Sequence, residues 1–236
     1  MPLEILLDDG PVLAINKPGG LLTLGAKPGV PTLEREVKAY LKERFQKPGN
    51  VYLGIPHRLD RPVSGVIVFA RNSKAAARLA EQFRERQVRK IYWAVTERPP
   101  EPAAGVLTDW MAKVADAARS EICPPETPGA REAVLHYRTL AETPAGTLVE
   151  VEPQTGRMHQ IRVQLAARGW NVLGDVQYGA ANPLILETDD PPEHRPIALH
   201  ARRLTFLHPI RYDEITLEAP LPAYWPVEPP PSETSV

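Results

Sequence analysis

The sequence predicts an α+β fold: one domain over residues 1–225 around a mixed, largely antiparallel sheet flanked by helices and loops. Three observations predict it. Apolar runs of strand length recur along the 236 residues. Two stretches carry apolar residues at helical spacing instead. Strands and helices alternate without the strict rhythm of a parallel α/β protein.

The first strand is expected at residues 12–16, where VLAIN runs into the turn Lys17-Pro18-Gly19-Gly20. A helix follows from Thr32, which can cap it. Leu33, Val37, Tyr40, Leu41 and Phe45 form its apolar stripe, with Glu34 and Glu36 early and Lys42 and Arg44 late, as the helix dipole prefers. Residues 65–71 read as a buried strand. A second helix, capped by Ser73, carries Ala76, Leu79, Ala80 and Phe83 on one face. Residues 90–97 alternate as a strand, with Tyr92, Ala94 and Thr96 on one face. Proline-rich stretches at 99–102 and 124–128 bracket a segment expected to be less regular. Strands are expected at 134–140 and 147–152, then a helix from His159 to Arg168 ended by Gly169. A polar loop at 189–196 precedes late strands at 198–207 and 214–218. The tail 226–236 (PVEPPPSETSV) has nothing to bury and is expected to be disordered.

Composition excludes several classes. The single Cys123 can form neither an internal disulfide nor a cysteine-based zinc site. No apolar run approaches the roughly 18 residues of a membrane span. The N-terminus lacks the basic-then-apolar pattern of a signal peptide, so the expectation is a cytoplasmic protein with no membrane partner. A formal charge of −1 also argues against a nucleic-acid ligand until it is divided by position. Residues 58–90 hold nine basic and three acidic side chains, a net of +6, whereas residues 101–236 hold 11 and 19, a net of −8. A chain with one cationic segment can present a positive surface to a polyanion.

That cationic segment opens with His57-Arg58-Leu59-Asp60-Arg61-Pro62-Val63-Ser64-Gly65. Positive neighbours favour an ionised carboxylate, and an ionised aspartate suits a nucleophile or a general base better than a general acid. The plain alternative is a loop salt bridge. A second candidate is Thr155-Gly156-Arg157-Met158-His159-Gln160-Ile161-Arg162, in which an arginine near a helix start can hold a carboxylate or a phosphate. Gly-rich phosphate loops and nucleophile elbows are absent. The spacing of His57, His159 and His200 gives no support to a metal site.

Here the chain resembles the RluA-type RNA pseudouridine synthases over roughly residues 5–220. His57-Arg58-Leu59-Asp60 with Ser64-Gly65 matches their signature, and Asn16-Lys17-Pro18-x-Gly20 their early motif. Lys90-x-Tyr92-x-Ala94, Thr155-Gly156-Arg157-x-His159-Gln160-Ile161-Arg162-Val163, Gly174-Asp175-x-x-Tyr178-Gly179 and Leu199-His200-Ala201 follow in order. The resemblance implies the pseudouridine synthase fold and the isomerisation of uridine in ribosomal or transfer RNA, with no cofactor and no metal, by a monomer. It implies Asp60 as the catalytic aspartate, Tyr92 as the tyrosine that stacks on the target base, and Arg162 as the arginine that pairs with the aspartate. Arg58 matches a position that enters the RNA where the base has left. His57, Arg61, Arg84, Arg86, Arg89, Lys90, Arg157, His159 and Gln160 are the further candidates for RNA contact.

Val63 stands where threonine is usual, Met158 where Thr or Ser is usual and Gln164 where histidine is common. These departures bear on substrate fit and leave Asp60, Tyr92 and Arg162 intact. Many members carry a small RNA-binding domain before the catalytic one. Here the early motif lies close to the N-terminus, so a stand-alone catalytic domain is expected. A two-carboxylate glycosidase is the competing enzyme class. It needs a second acid roughly 5–10 Å from the first, and Asp175 is the one further acid in the matched motifs. A catalytically silent RNA-binding protein is the non-enzyme alternative.

Overall fold

The computed structural model describes residues 2–25, 27, 29–185 and 189–228. The chain forms two compact units, Met1–Lys90 with His200–Pro222, and Ile91–Leu199 with Ala223–Val236. The sequence carries no linker at either main junction, because Lys90–Ile91 and Leu199–His200 each lie inside a strand.

In the first unit β1 (Glu4–Asp9) and β2 (Val12–Lys17) form an antiparallel hairpin, and β2 pairs antiparallel with β3 (Ser64–Ala70). Strand β3 pairs in parallel with β9 (Leu199–Leu207), which pairs antiparallel with β10 (Glu214–Glu218). The sheet is therefore mixed and largely antiparallel. Strand β1 carries no clear alternation and was not expected. It is an edge, half exposed, and its pairing to β2 rather than its own pattern makes it a strand.

Helices α1 (Leu33–Arg44) and α2 (Ser73–Arg84) belong to this unit. Thr32 caps α1 as expected, its side chain accepting from the Arg35 N–H. The α2 cap is Asn72 and not Ser73: the Asn72 Oδ1 accepts the Ala75 N–H at 2.8 Å, from extended backbone that leaves Ser73 as the first helical residue. Leu33, Val37 and Leu41 of α1 and Leu79 of α2 are fully buried, together with Val12 to Ile15 and Ile67 to Ala70. Each large aliphatic group so removed from water contributes about 1.5–3 kcal/mol.

The second unit is an antiparallel sheet in the order β4-β8-β7-β5-β6. Its strands are β4 (Arg89–Thr96, the first two residues in the other unit), β5 (Ala104–Lys113), β6 (Ser120–Ile122), β7 (Arg131–Thr143) and β8 (Gly146–Pro153). The stretch expected to be irregular thus contains a ten-residue strand. Its outward positions include Val106 and Trp110 and its inward ones Leu107 and Met111, so apolar residues on both faces hide the period of two. Helix α3 (Gln160–Ala166) is shorter than expected. His159 has left-handed backbone (φ 58), which starts the helix one residue later, and a turn closed at Gly169 (φ 73) ends it.

Of the C-terminal tail, Val227 is buried, and residues 229–236 lie outside the described residues. Among the described residues no helix is long and apolar enough to cross a membrane.

Candidate active site

The segment carrying Asp60 is stapled to the Gly-rich turn after β2. Gly20 N–H donates to the Arg61 carbonyl at 2.8 Å, and Arg61 Nε returns a bond to the Gly20 carbonyl at 2.9 Å. Thr23 Oγ1 donates to the Leu59 carbonyl at 2.8 Å and accepts the Leu59 N–H. Asp60 itself opens a turn, its carbonyl accepting the Val63 N–H at 3.1 Å. The backbone on either side of Asp60 is thus held from a segment about forty residues earlier, before any substrate arrives.

Beneath this turn lies Lys17, fully buried. Its ammonium donates to the carbonyls of Pro18, Leu21 and Arg61, at 2.9, 2.7 and 3.2 Å. Burial pushes Lys17 down to about 7, the negative Asp60 raises it again, and Arg61 lowers it. Three carbonyl acceptors match the three protons of an ammonium. The early motif therefore supplies a buried cation that feels the Asp60 charge, a role that sequence reasoning did not assign to Lys17.

Ser64 and Gly65 finish the segment. Ser64 Oγ lies 2.8 Å from His200 Nδ1, and His200 Nε2 faces the Ala219 carbonyl at 3.2 Å. Burial drives the His200 imidazole down to about 4, so it is neutral, with Nε2–H donating and Nδ1 accepting. Gly65 has φ +115, and a β-carbon there would sit 2.3 Å from the Ala201 carbonyl oxygen. Glycine is required because the first residues of β3 and β9 run together at this point.

In the second unit Tyr92 is half-buried. The register Tyr92–Val151–Tyr137 places it on the sheet face that also carries Leu107, Asp109, Leu135 and Ala133. That face is the one α3 covers, because Gln164 of α3 bonds to Asp109 and to the carbonyls of Leu107 and Ala133. Arg162 lies on α3 with its guanidinium anchored: Nε and Nη2 donate to the two oxygens of Asp175 at 2.6 and 2.7 Å, and Nη2 also reaches Gln177 at 2.9 Å. The Tyr178 ring lies 4.8 Å from the Arg162 guanidinium carbon, and its hydroxyl accepts the Ser120 N–H and stands 2.8 Å from His159 Nδ1. The two late motifs, 155–163 and 174–179, therefore form one cluster around Arg162. Asp175 is the base of that cluster and not a spare acid. Its carboxylate is engaged on both oxygens, which removes it as the general acid of a glycosidase.

The remaining candidates divide by exposure. Arg58, Arg84, Arg86 and Arg89 are exposed, and Arg84 pairs with Glu81 and Glu85. Arg61 is committed to Gly20, and Arg157 donates from Nε to the Glu132 carbonyl. His57 is half-buried; its Nε2 accepts the Val68 N–H, its ring stacks on Phe83 at 4.3 Å, and burial drives it down to about 3. Lys90 is lowered by burial and then by Arg86. Gln160 is 4% exposed, and its amide bonds Thr155, the Arg157 N–H, the Val134 carbonyl and Gln164. Gln160 therefore braces the loop before α3 rather than offering its side chain to a ligand, a correction to its place among the RNA contacts. The departure at Gln164 is also accounted for: its Nε2, with Arg168, holds Asp109 inside the unit.

A family model described as RNA pseudouridylate synthase matches residues 11–167. An uncharacterized RNA pseudouridine synthase of Zymomonas mobilis is 34% identical over 93% of this chain and 94% of its own length. A tRNA pseudouridine synthase C of Haemophilus ducreyi is 32% identical, with 95% and 93% covered. Among solved structures, human RNA pseudouridylate synthase domain containing 4 superposes with a TM-score of 0.74 at 29% identity, over 94% of this chain and 90% of that one. Fold and motifs together define an RNA-modifying isomerase. The chain belongs to the RluA-type RNA pseudouridine synthase family.

Proposed function

We propose that this protein, acting as a cytoplasmic monomer, converts specific uridines in structured ribosomal or transfer RNA to pseudouridine, with Asp60 as the catalytic aspartate. The reaction is a rearrangement. The bond from C1′ to N1 breaks, the base turns, and a bond from C1′ to C5 forms; C5 loses its proton and N1 gains one. Atoms and electrons balance within the substrate, so the chain needs to supply only positioning, charge and proton transfer.

A uridine inside a stem or loop must leave its stack first, at a cost of a few kcal/mol. Arg58, exposed and two residues from Asp60, offers a flat guanidinium for the gap. Asp60 supplies the carboxylate that drives cleavage of the glycosidic bond. Tyr92 stacks on the turned base and serves in proton transfer, and Arg162 is the arginine that the family pairs with the aspartate. Arg84, Arg86, Arg89 and Lys90 are the phosphate contacts, with Arg157 and His159 beside the Arg162 cluster.

The observation that carries this reading is the stapled Asp60 turn over the buried Lys17 ammonium. A carboxylate in an ordinary surface salt bridge has no need of a preorganised backbone or of a cation buried below it. The test is to incubate the purified protein with unmodified tRNA and ribosomal RNA transcripts and map pseudouridine. Wild type should modify discrete uridines and Asp60→Ala none. Equal modification by the variant would remove Asp60 from the reaction.

A further inference from the structure

Helix α1 ends in a tight reverse turn, as α2 does at Arg86. Gln46 has left-handed backbone (φ 46), a conformation usually left to glycine. Gln46 N–H bonds to the Glu43 carbonyl and Lys47 N–H to the Lys42 carbonyl, which turns the chain back on the last helical turn. The result is a phenylalanine among cations. The Phe45 ring is within 5.8 Å of the Arg44 guanidinium, 5.9 Å of the Lys47 ammonium and 5.5 Å of the Arg71 guanidinium, yet Phe45 remains 46% exposed. Tyr40 flanks it, 5.8 Å from Arg44. The Asp8 carboxylate faces this group, accepting from Arg44 at 3.2 Å and from Arg71 at 2.6 Å, and Asp9 also feels the Arg71 charge.

Compensation of the helix C-terminus accounts for cations at Lys42 and Arg44. It does not account for an aromatic ring left open between three of them. An exposed ring with flanking cations is the composition that holds single-stranded nucleic acid, because every base has a face to stack and every nucleotide a phosphate to neutralise.

We propose that the end of α1 is a second RNA contact, in which Phe45 stacks an unpaired base and Arg44 and Lys47 hold the adjoining phosphates. It rests on the reading of the chain as an enzyme of RNA. It lies far from the chemistry, since Arg71 follows the last residue of β3 while Asp60 precedes the first. The seven residues of that strand span roughly 20 Å at the usual rise per residue. A substrate must extend beyond the target loop to reach both places, so the patch distinguishes a long RNA from a short one.

The experiment compares an unmodified tRNA with a hairpin excised from it that is shorter than this span, by fluorescence anisotropy over a range of salt. Phe45→Ala should weaken tRNA binding about tenfold and so narrow the wild-type preference for tRNA over hairpin by the same factor. Arg44→Glu with Lys47→Glu should also flatten the salt dependence of tRNA binding by about one unit of slope or more. An unchanged ratio of tRNA to hairpin affinity in both variants overturns the proposal, as does an equal loss on both RNAs. Thermal melts establish that the variants fold. If wild type binds with the expected ratio yet forms no pseudouridine, the functional reading fails and the contact stands.

Discussion

Arg162 and Asp175 are paired through two parallel hydrogen bonds, Nε to Oδ2 and Nη2 to Oδ1, and both side chains are 2% exposed. A buried guanidinium needs a partner on most of its protons, and this carboxylate supplies it from thirteen residues downstream. Removing the carboxylate leaves a buried charge that water cannot reach. Asp175→Ala should destabilise the protein by about 3–5 kcal/mol, seen as a lower urea midpoint with an unchanged slope. Asp175→Asn keeps one acceptor and should lose less stability while still losing most activity, because Arg162 is no longer held in place. Equal stability of the alanine variant and wild type would contradict the buried pair.

Gly65→Ala should be among the most damaging substitutions in the chain. The added carbon meets backbone of Ala201 rather than a side chain that can move, and it also demands a left-handed φ of an alanine. A loss of about 3 kcal/mol or more is expected from a clash of this kind, with insoluble expression as the first sign. A soluble variant with wild-type melting would mean that β3 and β9 separate freely at this point.

Stability should depend on pH in a stated direction. His200 is lowered to about 4 from an ordinary 6.5, so between those values the unfolded chain binds the proton and the folded chain does not. Stability then falls as pH drops from 6.5 to 4, by up to about 3 kcal/mol from this group. His200→Gln retains polar atoms for Ser64 and Ala219 and should make the acid limb in chemical denaturation shallower, with His57, lowered to about 3 by burial, supplying the part that remains. An acid limb identical in the variant would assign it to other groups.

Tyr92→Phe keeps the ring on the face covered by α3 and removes only the hydroxyl. Product should be lost with RNA affinity within about twofold of wild type, since stacking depends on the ring. Full turnover would remove the hydroxyl from proton transfer.

Much of the fold was legible where one local period dominated. Both long helices and the strand at Glu214–Glu218 stand where apolar spacing puts them. The misses share a cause. Strand β5 has Val106 and Trp110 on its outer face and β1 is an edge, so neither shows alternation; pairing makes them strands, β1 with the adjacent β2 and β5 with β7 twenty or more residues later. The start of α3 was misplaced because the left-handed backbone of His159 has no signature in its residue type.

By itself the sequence picked out Asp60, Tyr92 and Arg162 as the candidates and gave their order, because each sits in a short motif whose spacing is local. Only the tertiary structure decided what supports them. Lys17 lies beneath the Asp60 turn, Asp175 holds Arg162, and Tyr92 shares a face with α3. The physical reason is that a buried charge is tolerated only opposite its partner, and the partner is chosen by strand register and chain reversal rather than by nearness in sequence.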